Sequence, residues 1–273
     1  MPYLPPVETQ PPAPLPRRYS LAGLIEWDDT GDLRWEGGIE YRAALDGAPT
    51  VDSIDGCDAM TMTAAGTPGV LRDGPTPLIA YRKVQCSTDP RGGLAETELA
   101  RLERNFPTVA ETALHTALAS NHTVTVVAAS GAPIPVRDAV AAIEAAWTGD
   151  DTPTLHFERR VWPHLPDMFL DTDGDRLNTA AGNPLVLGRY PHSQIGGAAL
   201  ASGEHLLFAT GRVFGYRSEP TQDIGFDRAT NTHTVITWRT LLVDSDGPTV
   251  AAVHTVGTDI GSGYSQSFLL MGG

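Results

Sequence analysis

Histidine is the side chain that most readily does acid–base or metal chemistry near neutral pH, and this chain carries eight, from His115 to His254. They are spread without an HExxH pair or comparable spacing, so metal-assisted hydrolysis has no support. The two cysteines, Cys57 and Cys86, form neither a CxxC nor a Cys/His metal spacing, which removes zinc sites and a disulfide framework. Two free, partly buried thiols are expected. Asp171-Thr172-Asp173-Gly174-Asp175 opens like a calcium loop, whose clustered carboxylates supply hard oxygen ligands. Counted from Asp171, however, the sixth position is Arg176 where Gly is required and the twelfth is Gly182 where Glu is required. The run therefore reads as a hairpin turn. Gly261-Ser262-Gly263-Tyr264-Ser265 misses the register of a GxSxG nucleophile elbow, and neither GxGxxG nor GxxxxGK occurs. The expectation is a protein without catalytic residues, metal or cofactor.

With 273 residues, 41% of them hydrophobic and 19% charged, the chain can bury one large core or two modest ones. The 28 glycines and 22 prolines call for many turns and ordered loops. A net charge of −14 repels phosphate backbones and disfavours a sequence-independent nucleic-acid binder. The same charge suits a wall that encloses nucleic acid without sticking to it. No run of about 18 apolar residues occurs, and the start Met-Pro-Tyr-Leu-Pro-Pro has no basic segment followed by an apolar one. A soluble protein made in the cytoplasm is expected.

Seven prolines among residues 1–18 forbid helix and favour an extended arm. From Tyr19 to about Leu45, apolar residues alternate loosely with polar ones around Asp29-Thr30-Gly31-Asp32, which predicts a β ribbon. Residues 46–77 carry many Gly, Pro, Asp and Thr, with only short apolar pieces such as Met60 and Met62 or Val70 and Leu71, too long a stretch for a routine connection. A return strand follows at Leu78-Ile79-Ala80-Tyr81 and Val84. After the breaker Asp89-Pro90-Arg91-Gly92-Gly93, helical spacing of Leu99, Leu102, Phe106, Ala110, Ala113 and Leu114 predicts a helix over 94–118, kinked or broken at Pro107. Beyond it lie a strand at Thr123–Ala128, a helix through Val136, Val140, Ile143 and Trp147, and strands at Thr154–Phe157, Leu185–Leu187, Leu206–Tyr216, Thr234–Val243 and Val250–Val256. The second half is α/β, with helices packed on a sheet.

Several stretches resemble major capsid proteins of actinobacterial tailed phages with the HK97-type fold. They are Leu78–Ser87, Glu111–Leu114, Arg176–Leu185, Leu206–Gly211 with Arg217-Ser218, and Asp227–Asn231 leading into Trp238-Arg239-Thr240. The resemblance covers roughly residues 78–257 and rests on the order of the pieces. It implies an α+β fold with an N-terminal arm over 1–30 and a first part of a peripheral domain over 31–121. That part would include an extended E-loop over 46–77 and a spine helix over 94–118. An axial domain would follow over 122–246, then a peripheral return strand and tail over 247–273. The implied function is self-assembly into hexamers and pentamers of an icosahedral phage head in the host cytoplasm, around double-stranded DNA. Scaffold, portal and decoration proteins are possible partners, and no membrane is involved. Trp27, Trp35, Met60, Met62 and Leu71 are candidate subunit-interface anchors, since large apolar residues on arms and loops otherwise gain nothing from exposure. The alternative for the two tryptophans is local core. Crosslinking members of this family join a loop lysine to an asparagine, whereas Lys83 is the only lysine here. An isopeptide mesh is therefore not expected. The rival readings are an encapsulin-type compartment around a protein cargo, and a soluble α/β enzyme or carbohydrate-binding module.

Overall fold

The architecture follows from one long amphipathic helix shared by two sheets. The structure, a computed structural model, describes residues 18–28, 39–42, 71–73, 75–86, 93–149, 151–165, 171–173, 176–179, 181–195 and 198–256. In chain order, a 3-10 turn at Leu21–Gly23 precedes strands β1 (Glu26–Asp28), β2 (Glu40–Arg42), β3 (Leu71–Asp73) and β4 (Leu78–Cys86). Helix α1 (Leu94–Asn121) leads to β5 (Val124–Ala128), β6 (Ile134–Pro135) and helix α2 (Val136–Ala146). Next come β7 (Thr154–Glu158), a 3-10 turn at Arg159–His164, β8 (Asp171–Asp173), β9 (Arg176–Asn178) and β10 (Leu185–Gly188). The chain continues through β11 (Glu204–Thr210), β12 (Val213–Arg217), β13 (Thr221–Asp227), β14 (Thr232–Ser245) and β15 (Thr249–Thr255).

One sheet has the order β1-β12-β14-β13, with β4 also paired to β14. The other has the order β10-β7-β11-β15-β5, with β6 also paired to β15. Leu102, Phe106, Ala110, Ala113, Leu114 and Leu118 recur every three or four residues along α1 and form one buried stripe. That stripe packs against Val213, Leu241 and Val243 of the first sheet and Leu206, Phe208 and Val253 of the second. The opposite face of the second sheet is covered by α2, where Val136, Ala139, Val140 and Ile143 meet Leu155, Phe157, Leu207 and Ala252. A sheet covered on both faces needs apolar residues at successive positions, which is why every residue of β11 is buried. Helix α1 runs without interruption through Pro107, so the break expected there does not occur. Buried Phe106 and Ala110 on either side anchor the turn that lacks a backbone donor.

Two expectations are corrected by the topology. Tyr19–Asp28 is not one limb of a ribbon: Leu21 is fully buried, the Leu187 N–H donates to the Tyr19 carbonyl at 2.8 Å, and β1 runs parallel to β12. Arg18–Asp28 packs on its own chain, where Leu21 and Ile25 complete the core beside α1. The stretch Leu206–Tyr216 is two strands in different sheets. It turns at Gly211, where a Cβ would sit 1.9 Å from the Asp246 carbonyl oxygen, so only glycine allows that approach. Residues 122–246 contribute strands to both sheets. Strands β12, β13 and β14 join β4 and the long helix, while β15 pairs with β11 and β5 in the other sheet. Strands β14 and β15 are consecutive yet cross between layers at the Asp246-Gly247-Pro248 connection. Strand β13 was not anticipated: its polar residues and Gly225 weaken the pattern, and backbone pairing with β14 holds it.

Other elements agree with expectation. Asp171–Asp173 and Arg176–Asn178 pair antiparallel with Asp173 opposite Arg176, a hairpin and not a calcium loop. Residues 1–17, most of 46–77 including Cys57, and the Gly261–Ser265 run lie outside the described residues.

Candidate assembly surface

A strand that packs on one side of a sheet leaves alternate residues for the other side. In β4, Ala80 is buried and Arg82 reaches the helix, with Arg82 Nε 2.7 Å from Glu98 Oε2. The intervening Ile79 and Tyr81 are 64% and 68% exposed. Register places Tyr81 opposite Trp238 and Ile79 opposite Thr240, so these side chains share the face turned away from α1. Ile224 and Phe226 on β13 are 61% and 49% exposed, and Leu78 is half-exposed. Exposed large apolar residues thus lie on both strands flanking the N-terminal half of β14, Ile79 and Tyr81 on the face turned away from α1 and Ile224 and Phe226, opposite Val235 and His233, on the other face. Surfaces of this kind mark contacts with other macromolecules more often than ordinary solvent-facing sheet.

The five candidate anchors fare differently. Trp27 is half-buried against its own chain: its indole N–H donates to the Ala22 carbonyl at 3.3 Å, and its ring lies 5.4 Å from that of Phe106. The Arg217 guanidinium stacks 5.0 Å above it, and Gly215 leaves the room it occupies. Local core accounts for Trp27. Leu71 opens β3, paired with Arg42 of β2, a ribbon whose strands bracket residues 43–70. Trp35, Met60 and Met62 lie outside the described residues. Ile79 and Tyr81 were legible as return strand, but the sequence alone could not say which face of it would remain uncovered.

The frame behind this surface is tied by buried polar groups. Glu98 is fully buried on α1 and bridges Arg82 of β4 and Arg101. Glu111, also on α1, accepts the Arg189 N–H at 2.7 Å. His122, at the end of α1, lies 2.7 Å from the Asp244 carboxylate of β14, and both side chains are almost fully buried. His156 is completely buried, with Tyr190 Oη and Thr210 Oγ1 each 2.8 Å from its ring nitrogens. Burial alone lowers its pKa to about 3, so it is neutral at pH 7. Burial likewise raises Tyr190 well above the ordinary phenol range, with nearby Glu111 adding to the effect.

Among the described residues no group of three or more His, Cys, Asp or Glu is placed to hold a metal ion, and no helix is long and apolar enough to cross a membrane. A groove between α1, β14 and the approach to β4, lined by Pro75, Leu78, Ala117 and Leu242, encloses about 180 Å³. That is smaller than the roughly 300–1,000 Å³ of ordinary small-molecule sites.

No family model matches the chain, and no curated protein matches it. Solved structures do match. The chain is similar to the capsid of a native GTA particle, with a TM-score of 0.57 and 11% identity over 93% of this chain and 95% of that one. It is similar to the capsid of an empty GTA particle, with a TM-score of 0.54 and 12% identity over the same shares. An encapsulin complex from Synechococcus elongatus PCC 7942 matches at a TM-score of 0.49 and 14% identity, over 92% of this chain and 94% of that one. At such identities the likeness is one of fold. The long helix, the two sheets and their order make this chain a mixed α+β protein with the HK97-type capsid fold over more than nine-tenths of its length.

Proposed function

We propose that this protein is the major capsid protein of a tailed phage, assembling into hexamers and pentamers of an icosahedral head around double-stranded DNA. The observation that carries this reading is the end-to-end correspondence with a capsid subunit, 93% of one chain on 95% of the other. The exposed apolar residues of β4 and β13 support it, and the segments resembling actinobacterial phage capsids favour a head of that type. In this reading α1 is the spine helix, residues 46–77 form the E-loop over a neighbouring subunit, and Met60, Met62 and Leu71 anchor it there. The sheet containing β4 and β14 forms the peripheral domain and the sheet containing β11 and β15 the axial one. Many repeated contacts stabilise such a shell, each contributing about 25 cal/mol per Å² of buried apolar surface before association costs.

Deleting residues 50–74 should leave a folded chain that elutes as a small species on size-exclusion chromatography, while the full chain elutes as megadalton particles. Particles of normal size from the deletion variant would refute the E-loop assignment. Electron microscopy and nuclease digestion of full-length particles separate a DNA-filled head from a compartment holding protein cargo. Lys83 is the only lysine in the chain, so boiling particles in detergent should release monomers. A ladder of ligated subunits would contradict this.

A further inference from the structure

The second sheet ends in a group of imidazoles that the shell reading does not use. His254 on β15 is fully buried, and neither of its ring nitrogens has a hydrogen-bond partner of ordinary geometry. It stands directly opposite His205 of β11, with ring centroids 5.7 Å apart, and edge-on to Phe157 of β7 at 5.9 Å. His205 Nδ1 is 3.4 Å from Glu158 Oε2, and His192 Nδ1 is 3.3 Å from Glu158 Oε1. That carboxylate also accepts from the Leu206 N–H at 3.2 Å and from Arg160, which contacts His192 as well. Glu204 is engaged elsewhere, by Ser130, Gly131 and Ala201. His115 bonds the Ser193 carbonyl. On the other side of β15, β5 and β6 contribute no charged residue, and Arg137, Asp138 and Glu144 of α2 are exposed. Among the described residues no anion other than the already engaged Glu158 is therefore left to receive a proton-bearing His254.

We propose that His254 is an acid-sensitive latch, whose protonation requires the end of β15 to leave β11 and thereby frees residues 252–256. The strand end is suited to such local release. Its register against β5 shifts between Ala251 and Ala252, and beyond that point only the two residues of β6 flank it on that side. As pH falls, charge gained on His205 beside Glu158 opposes a second one on His254. Burial, reinforced by His205, lowers the His254 pKa to about 4, and the Thr255 backbone and Glu158 offset only part of this. The released imidazole titrates near its ordinary value of about 6.5. Opening therefore grows tenfold per pH unit between these values, about thirtyfold from pH 7.5 to pH 5.0. The inference stands whether or not the shell reading holds.

Hydrogen–deuterium exchange of the full chain at pH 7.5 and pH 5.0, corrected for intrinsic exchange rates, tests this. Protection of the peptide spanning Ala252–Val256 should fall about thirtyfold at the lower pH, while Val235–Val243 stays the better protected of the two at both pH values. The His254→Phe variant, and His254→Leu as a second choice of shape, should show no such fall. Thermal melts at pH 7.5 would establish that the variant used is folded. Unchanged protection in the parent protein, protection of Ala252–Val256 at pH 5.0 no lower than that of Val235–Val243, or a full thirtyfold fall in a folded variant would each overturn the latch.

Discussion

Between pH 7 and pH 4.5 the purified protein should lose roughly 5 kcal/mol of stability, mostly through imidazoles held neutral inside the fold. His156 is lowered to about 3 and His254 to about 4, in both cases chiefly by burial. The sign follows from which state binds the proton. Below about pH 6.5 the unfolded chain protonates these groups while the folded chain does not, so stability is complete above that value and declines below it. Each group contributes about 1.4 kcal/mol per pH unit, so the two together give nearly 3 kcal/mol per pH unit between about pH 6.5 and pH 4. Burial also lowers His115 and His205, which act in the same direction. Glu158 is lowered too: burial opposes this, and Arg160 and the Leu206 N–H outweigh it. Its contribution is lost only as pH falls below the ordinary carboxylate range. Since a domain of this kind has about 5–15 kcal/mol in total, acid unfolding near pH 4 is expected. Urea midpoints at pH 7 and pH 4.5 measure the effect, and a flat profile would contradict it. His156→Gln should reduce the slope by about half.

Replacing His122 with Leu should destabilise the protein by about 3 kcal/mol and lower its melting temperature by roughly 10 °C. His122 and the Asp244 carboxylate meet at 2.7 Å where neither side chain is more than 2% exposed. The Ser245 N–H also donates to the same carboxylate oxygen. Removing the imidazole leaves a buried carboxylate without its nearest side-chain donor, and water cannot easily take that place. The contact joins the end of α1 to β14, so the loss should spread through the five-stranded sheet. Asp244→Asn, which keeps an oxygen acceptor, should cost less. Calorimetry of both variants decides the point: a His122→Leu protein melting within a degree or two of the parent would remove the pair from the frame of the fold.

Helix α1 could be read from the sequence because Leu102, Phe106, Ala110 and Leu114 repeat along one face, a local pattern needing no knowledge of partners. The return strand at Leu78–Val84 was legible for the same reason, as was the hairpin at Asp171–Asn178. The fate of Trp27 was not, since local core and subunit anchor demand the same residue type, and only Phe106, Arg217 and Gly215 around its ring distinguish them. The histidine cluster was equally hidden. Glu158, His192, His205 and His254 are separated by tens of residues and meet because β7, β11 and β15 lie side by side.

By itself the sequence determined the helices, most of the strands, the lack of a recognisable catalytic or metal motif, and through the order of familiar segments the class of fold. Tertiary structure alone decided which strands share a sheet, which side of β4 is left without cover, and which ionisable groups are held without charge in the interior. The division has a physical cause. Periodicity and turn chemistry act between residues a few positions apart, whereas sheet membership and burial depend on pairings across the whole chain.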